Sequence, residues 1–297
     1  MWLAFSLFAS LCTSLTTIFA KIGIKNVNSN FATCFRTLIV IFCSIIVCFL
    51  TNGFSSFKDL DLHNWVFLVL SGIATGCSWL CYYKAVSLGN INKIAPIDKS
   101  SFILTSALFM IFFFQDTTKN GDLLTIIMII LSNILMLIGT ILMIGKKDDT
   151  EEKSKKWLIY AVLSAVFASL VSLFVKIGLK GISSNLGTLI RTIIVLIFSS
   201  LIVIFRKDYQ GVSRISKTSW LFLFLSGLAT GGAWLFEYYS LNMAGVNPIA
   251  VNSIGKLSIL LTMLFSFIVL KEKFNKKSII GLSILTLGIV IIIIFSL

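Results

Sequence analysis

The chain alternates long apolar runs with short polar breaks, and the lengths of the runs carry the first structural message. A bilayer core of about 30 Å takes about 20 helical residues to cross. Ten runs of that length are bounded by charged or polar residues: Trp2 to Ala20, Phe31 to Leu50, Asn64 to Tyr83, Ile94 to Phe114, Leu123 to Ile144, Trp157 to Val175, Leu186 to Phe205, Trp220 to Tyr239, Ile249 to Leu270 and Ser278 to Leu297. Inside them Leu, Ile, Phe and Val follow one another without the two-residue alternation of a barrel strand, so each run predicts a transmembrane α-helix. The first run has no basic segment ahead of it and ends in Lys21-Ile22-Gly23 rather than a small-residue cleavage site. It reads as a retained helix. The expected fold is therefore an all-α membrane protein with ten transmembrane helices.

Composition removes the soluble alternative. Hydrophobic residues make up 57% of the chain and charged residues only 12%, against about 25% charged in an ordinary soluble domain. The basic excess, 25 Lys and Arg against 12 Asp and Glu, would suggest nucleic acid in a soluble protein, but here the charges sit between apolar runs. They report orientation instead. Loops after odd-numbered runs hold 17 basic residues, from Lys21 and Lys25 through the central lysines to Lys276 and Lys277, and loops after even-numbered runs hold only Lys58, Lys119, Lys176 and Lys180. The positive-inside rule places the odd loops in the cytoplasm of a cell membrane, plasma or inner, with both termini outside.

An offset of 155 residues superposes the two halves over most of their first three runs, with roughly a third of positions identical. Lys21-Ile22-Gly23 recurs as Lys176-Ile177-Gly178, Ser29-Asn30 as Ser184-Asn185, Arg36-Thr37 as Arg191-Thr192, and Trp79-Leu80 as Trp234-Leu235. Ala74-Thr75-Gly76 recurs as Ala229-Thr230-Gly231, and Gly72 as Gly227. Beyond Ile94 and Ile249 the second copy gains two residues, which sets Lys99 against Lys256. The predicted organisation is a first five-helix repeat at 1–145, a charged linker at 146–156 and a second repeat at 157–297. Five is odd, so the second copy enters the membrane from the opposite side. Inverted repeats of this kind can rock past one another and expose a midplane site alternately to each face.

Ten spans as two inverted units, a Lys-x-Gly closing the first span of each and a third span rich in Trp and Gly resemble the drug/metabolite transporter superfamily, in particular its EamA-type branch. Asn247-Pro248-Ile249-Ala250 opens the fourth span of the second unit, and Leu270-Lys271-Glu272-Lys273 is similar to the segment that ends that span in the family. The first unit departs from it with Phe114-Gln115-Asp116-Thr117. Family members of this size imply cytoplasmic termini, the reverse of the charge count here. The resemblance implies a transporter.

Ionisable groups inside a span cost on the order of 2.5–3.5 kcal/mol each, so those present call for a function or a partner. Lys99 and Lys256 lie one to two turns into the fourth span of each unit, beside Pro96 and Gly255. Similarity to the phosphate and nucleotide-sugar branches of the superfamily implies that they meet an anionic head group; pairing of Lys99 with Asp98, or snorkelling, is the plain alternative. Arg36 and Arg191 recur in the motif Thr-x-x-Arg-Thr and suit either a bidentate contact to a carboxylate or a scaffold role needed in both copies. Trp79, Trp234, Tyr83 and Tyr238 recur near the ends of the third spans, as an interfacial belt or as cavity lining. Asp98 and Glu237 are the carboxylates placed to carry a coupling proton. The glycines and the Ala-Thr-Gly triplets read as close-packing faces.

Six cysteines, all in the first half, have no convergent histidine, since His63 is the chain's only one. They read as small apolar residues, and neither a metal site, a cofactor nor catalytic residues are expected. The leading expectation is a secondary active transporter of a small anionic or zwitterionic metabolite, such as an amino acid, a carboxylate or an organic phosphate, working by alternating access in export or exchange. Its expected partners are the lipid bilayer, the small-molecule substrate and a coupling proton, with no nucleic acid, in a monomer or homodimer. A non-transporting membrane scaffold and a membrane-embedded lipid-modifying enzyme are the alternatives from other classes.

Overall fold

The computed structural model describes residues 1–24, 27–88, 94, 97, 98, 100–118, 121–143, 156–210, 212, 215–269 and 276–296, and among them it contains helices and no strand. In chain order the helices are α1 (Trp2–Gly23), α2 (Ser29–Leu50), α3 (Leu62–Leu88), α4 (Ser101–Phe112), α5 (Phe114–Thr118), α6 (Leu123–Met143), α7 (Trp157–Gly178), α8 (Ser184–Arg206), α9 (Lys217–Asn242), α10 (Pro248–Gly255), α11 (Leu257–Val269) and α12 (Lys276–Ser296). Among the described residues nine helices are long and apolar enough to cross a membrane, with α10 and most of α11 together forming one of them. The remaining expected span, Ile94 to Phe114, is represented by the shorter α4; Ala95, Pro96 and Lys99 lie outside the described residues. The chain is an all-α multi-pass membrane protein.

Two details differ from the sequence expectation. Helices run past the apolar windows by up to about a turn, so Lys21, Lys84, Lys176, Arg206 and Lys217 stand inside helices rather than in loops. An apolar window stops at the first charge, whereas the backbone keeps winding through the interfacial layer, where a lysine stem can lie along the helix with its ammonium in water. The ninth span is broken at Lys256, which separates α10 from α11.

The helices begin where the sequence supplies a cap. Asn28 accepts from the Asn30 N–H at 2.8 Å to start α2, Ser216 accepts from the Ser219 N–H at 3.1 Å to start α9, and Asn247 accepts from the Ile249 N–H at 2.9 Å ahead of Pro248. Each satisfies a donor that a helix start leaves open.

The chain forms two compact units, and each draws on both halves of the sequence. One comprises Met1–Ile73, Phe174–Met243 and Leu257–Leu270; the other comprises Ala74–Leu173, Ala244–Lys256 and Lys271–Leu297. In the first unit α1 packs along α9, α2 lies against α8 and α9, and α11 lies against α1. In the second, α6 pairs with α12, and α10 packs on α12 and α4.

Polarity is distributed as lipid requires. Phe42, Ile46, Ile111 and Ile130 are exposed, while Ser6, Ser14, Ser44, Ser71, Ser164 and Thr188 are buried. Lipid tails are as apolar as these side chains, so close packing and hydrogen bonding, rather than water exclusion, hold such helices together. Hydroxyls on α8 are satisfied by the preceding turn: Thr188 donates to Ser184 O at 2.7 Å and Thr192 to Thr188 O at 2.6 Å. Two backbones approach closely between α6 and α12. A Cβ on Gly139 would stand 2.6 Å from the Gly281 carbonyl oxygen, and a Cβ on Gly281 2.6 Å from that of Gly139. Gly227 similarly seats Ile39, and Gly72 seats Ile194.

Candidate functional site

One stripe of α9 gathers the polar chemistry of the first unit. Thr230, Trp234 and Tyr238 are four residues apart, so they stack on one face of the helix. Both repeat-related arginines reach this stripe. From α2, the Arg36 Nη2 donates to Thr230 Oγ1 at 3.2 Å. Thr230 in turn donates to Ser226 O at 2.7 Å and lies 3.3 Å from the Thr16 hydroxyl of α1. From α8, the guanidinium carbon of Arg191 stands 4.6 Å from the centre of the Trp234 ring and 5.3 Å from that of Tyr238.

Arg191 is only 2% exposed and Tyr238 only 5%. A desolvated cation over an aromatic face gains about 2 kcal/mol, which offsets much of the 2.5–3.5 kcal/mol that an arginine costs inside a membrane. A planar guanidinium carries its N–H donors in a rigid fork that matches a carboxylate or phosphate.

The placement of α8 is set by the turn before it. The Asn64 side-chain amide donates to Gly178 O at 3.0 Å and Lys180 O at 2.9 Å, and Asn242 donates to Ile182 O at 2.8 Å. The Lys176 ammonium donates to Leu241 O in the last turn of α9. A cation there also favours the negative end of the helix dipole. The duplicated Lys-x-Gly thus has a structural use in the second copy, which its assignment to a loop had hidden.

Other candidates fall elsewhere. Glu237 is half-buried on α9, and Lys256 is half-buried where α10 ends. Trp79 is half-buried on α3; Tyr83 belongs to the same helix, and its side chain is outside the described residues, as is the whole of Lys99. Asp98 belongs to the second unit and accepts from the Ser164 hydroxyl at 2.8 Å. In the sequence Thr230 reads only as packing, within its Ala-Thr-Gly triplet, and nothing flags Thr16. The four-residue phase of Thr230 with Trp234 and Tyr238 was the available signal.

A separate crevice of about 480 Å³ in the first unit is lined by Phe5, Cys43, Val47, Leu235, Phe236 and Tyr239, among others. None of Arg36, Arg191, Trp234 or Tyr238 lines it. Among the described residues no group of three or more His, Cys, Asp or Glu side chains is arranged to hold a metal ion.

Comparison with known proteins bears on the whole chain. The model of the EamA-like transporter family matches residues 1–138 and 155–294. A curated protein of Sinorhizobium sp named "Uncharacterized transporter in cobO 3'region" is 37% identical over 142 residues, which is 48% of this chain and 99% of that protein. A solved crystal structure aligns over 98% of this chain and 96% of its own with a TM-score of 0.72 at 13% identity, a likeness of fold.

Proposed function

Because the chain belongs to the EamA-like transporter family, we propose that it moves a small anionic or zwitterionic metabolite across the cell membrane by alternating access, in export or exchange. The observation that carries the charge preference is Arg191, a buried guanidinium laid on Trp234 and Tyr238. Arg36, on the same stripe through Thr230, supplies a second cation. An amino acid, a carboxylate or an organic phosphate offers the acceptor that such groups bind best. Lys256 and its repeat partner Lys99 are the next cations assigned to the path, with Trp79 and Tyr83 as the first copy's counterparts of the aromatic pair. The family supports transport; the inverted duplication supports rocking of two pseudo-symmetric halves. The loops after odd-numbered spans face the cytoplasm in this reading.

The test begins with purified protein in lipid nanodiscs, screened for thermal stabilisation by a library of metabolites. Anionic or zwitterionic compounds should give a saturable rise in Tm, and the hits should undergo counterflow in proteoliposomes. Arg191→Ala should weaken binding of those hits by at least about tenfold, or about 1.4 kcal/mol. Saturable stabilisation by cationic compounds alone, or hits that bind Arg191→Ala as well as wild type, would overturn the charge preference.

A further inference from the structure

The crevice of the first unit stands apart from the arginine stripe, and its shape has a direction. Four helices contribute to it at one common end: Phe5 is in the first turn of α1, Thr51 caps the end of α2, Asn185 opens α8 and Tyr239 is in the last turn of α9. From that end it runs inward. Cys43 lies eight residues before Thr51 on α2, and Leu228 eleven before Tyr239 on α9. At about 1.5 Å per residue the crevice is about 12–16 Å long. A bilayer core is about 30 Å thick, so this is the depth of one leaflet. Polarity follows the same axis. At the outer end the Asn185 amide donates to the Thr51 hydroxyl at 2.9 Å, and that hydroxyl donates to Val47 O at 2.7 Å. The second N–H of the Asn185 amide makes no hydrogen bond among the described residues, which leaves a donor for an ester oxygen. Inward, at Cys43, Val47, Leu228 and Gly232, the lining side chains carry neither oxygen nor nitrogen.

The space opens where this copy of the repeat has the smaller residue. At the offset that relates the copies, Cys43 corresponds to Phe198 and Gly232 to Cys77. One wall is already braced: the Phe5 ring stacks on Phe236 at 5.9 Å and meets Tyr239 edge-on at 4.8 Å, so these rings hold one another in place. A space of about 480 Å³ with such walls does not fill with water, which would find no partners there. Left empty, its lining would forfeit dispersion contacts. Within the hydrocarbon layer the material at hand is the lipid tail. Phe42 and Ile46, exposed on the outer face of α2, meet passing lipid on one side only, whereas a chain in the crevice meets four helices.

We infer that this crevice is a lipid site, in which one acyl chain of a bilayer phospholipid lies along α2. Its ester region sits at Thr51 and Asn185, and its tail runs toward the midplane between Cys43 and Leu228. The second chain of the same lipid stays in the bilayer outside. Depth, polarity and the braced aromatic wall all match that occupant, and every residue named belongs to the first unit. A bound chain fills the gap that Cys43 and Gly232 leave between α2 and α9, where close packing is what holds membrane helices together.

The probe is phosphatidylcholine with a photoactivatable diazirine midway along one acyl chain, mixed into nanodiscs of unlabelled phosphatidylcholine. After irradiation, delipidation in detergent and digestion, adducts on wild-type protein should map to Cys43, Val47, Leu228, Gly232 or Phe236. Native mass spectrometry of unirradiated protein from the same discs should show one phosphatidylcholine per chain that survives detergent washing. Cys43→Phe and Val47→Trp each fill the space and should lower both signals at least about tenfold. Ile46→Trp, on the exposed face of the same helix, should lower neither. Adducts confined to outer positions such as Phe42 and Ile46 overturn the proposal with wild-type protein alone, and so does a retained lipid that both filling variants keep. A retained free fatty acid overturns it in favour of that ligand, and a dimer without retained lipid overturns it in favour of a second copy of the chain. No metabolite enters this measurement, so the transport reading and the lipid site fail separately.

Discussion

Arg36 and Arg191 occupy the same place in the two copies of the repeat; Arg36 meets the Thr230 hydroxyl, and Arg191 lies over the rings of Trp234 and Tyr238. The neighbours diverge at the start of the same helices. Asn30 donates to the Asp208 carboxylate at 2.7 Å, alongside Asn28 at 2.8 Å, whereas Asn185 donates to the Thr51 hydroxyl at 2.9 Å near the surface. Duplication copied the residue and its position on the helix; at the asparagines it did not copy the neighbour. A repeat-related pair is thus two experiments on one side chain, and the environments predict which member matters more.

The arginines give the widest separation. Arg191→Ala should slow counterflow of a metabolite that binds the wild-type protein by about thirtyfold, equivalent to about 2 kcal/mol of lost cation–π and ligand contact, and Arg36→Ala by no more than about threefold. Equal losses would show that the ring environment confers no advantage. Next come the asparagines, read by equilibrium unfolding in lipid. Asn30→Ala removes a hydrogen bond to a charged partner and should cost about 1.5 kcal/mol, while Asn185→Ala should stay within about 0.5 kcal/mol. Between these pairs Thr230→Val serves as a sharper probe. It deletes the Arg36 acceptor without touching Arg191, and should cost about 1 kcal/mol of stability with counterflow slowed less than by Arg191→Ala. A counterflow loss as large as that of Arg191→Ala would mean that both arginines act through one continuous stripe of α9.

Much of the fold could be read from the chain because lipid imposes a simple rule. A backbone crossing hydrocarbon must satisfy its own polar groups, so each apolar run long enough to span becomes a helix. The duplication was legible for a related reason: Lys-x-Gly, Thr-x-x-Arg-Thr and Trp-Leu recur at one offset, and each lies at a helix end or in a packed face. Three things were not. Lys176 reads as a loop cation until the carbonyl it caps at Leu241 is seen, because that partner is remote in sequence. Thr230 reads as packing until Arg36 is placed against it. Gly139 and Gly281 lie at positions that the offset does not pair, so no repeat signal flags the contact where their backbones nearly touch. In each case the missing information is which helix becomes the neighbour, and that depends on packing across long separations.

The interleaving of the two compact units has a consequence for how the protein is made. The first unit needs Met1–Ile73, Phe174–Met243 and Leu257–Leu270 together, and the second needs residues up to Leu297. A ribosome that has finished the first five spans has completed neither. Until the later spans arrive, the buried hydroxyl face of α1, with Ser6, Ser10 and Ser14, waits in the bilayer without the helices that will cover it. Biogenesis is then a problem of holding early helices in readiness. A chain truncated at the central linker is expected to be a substrate for membrane quality control rather than a half-transporter.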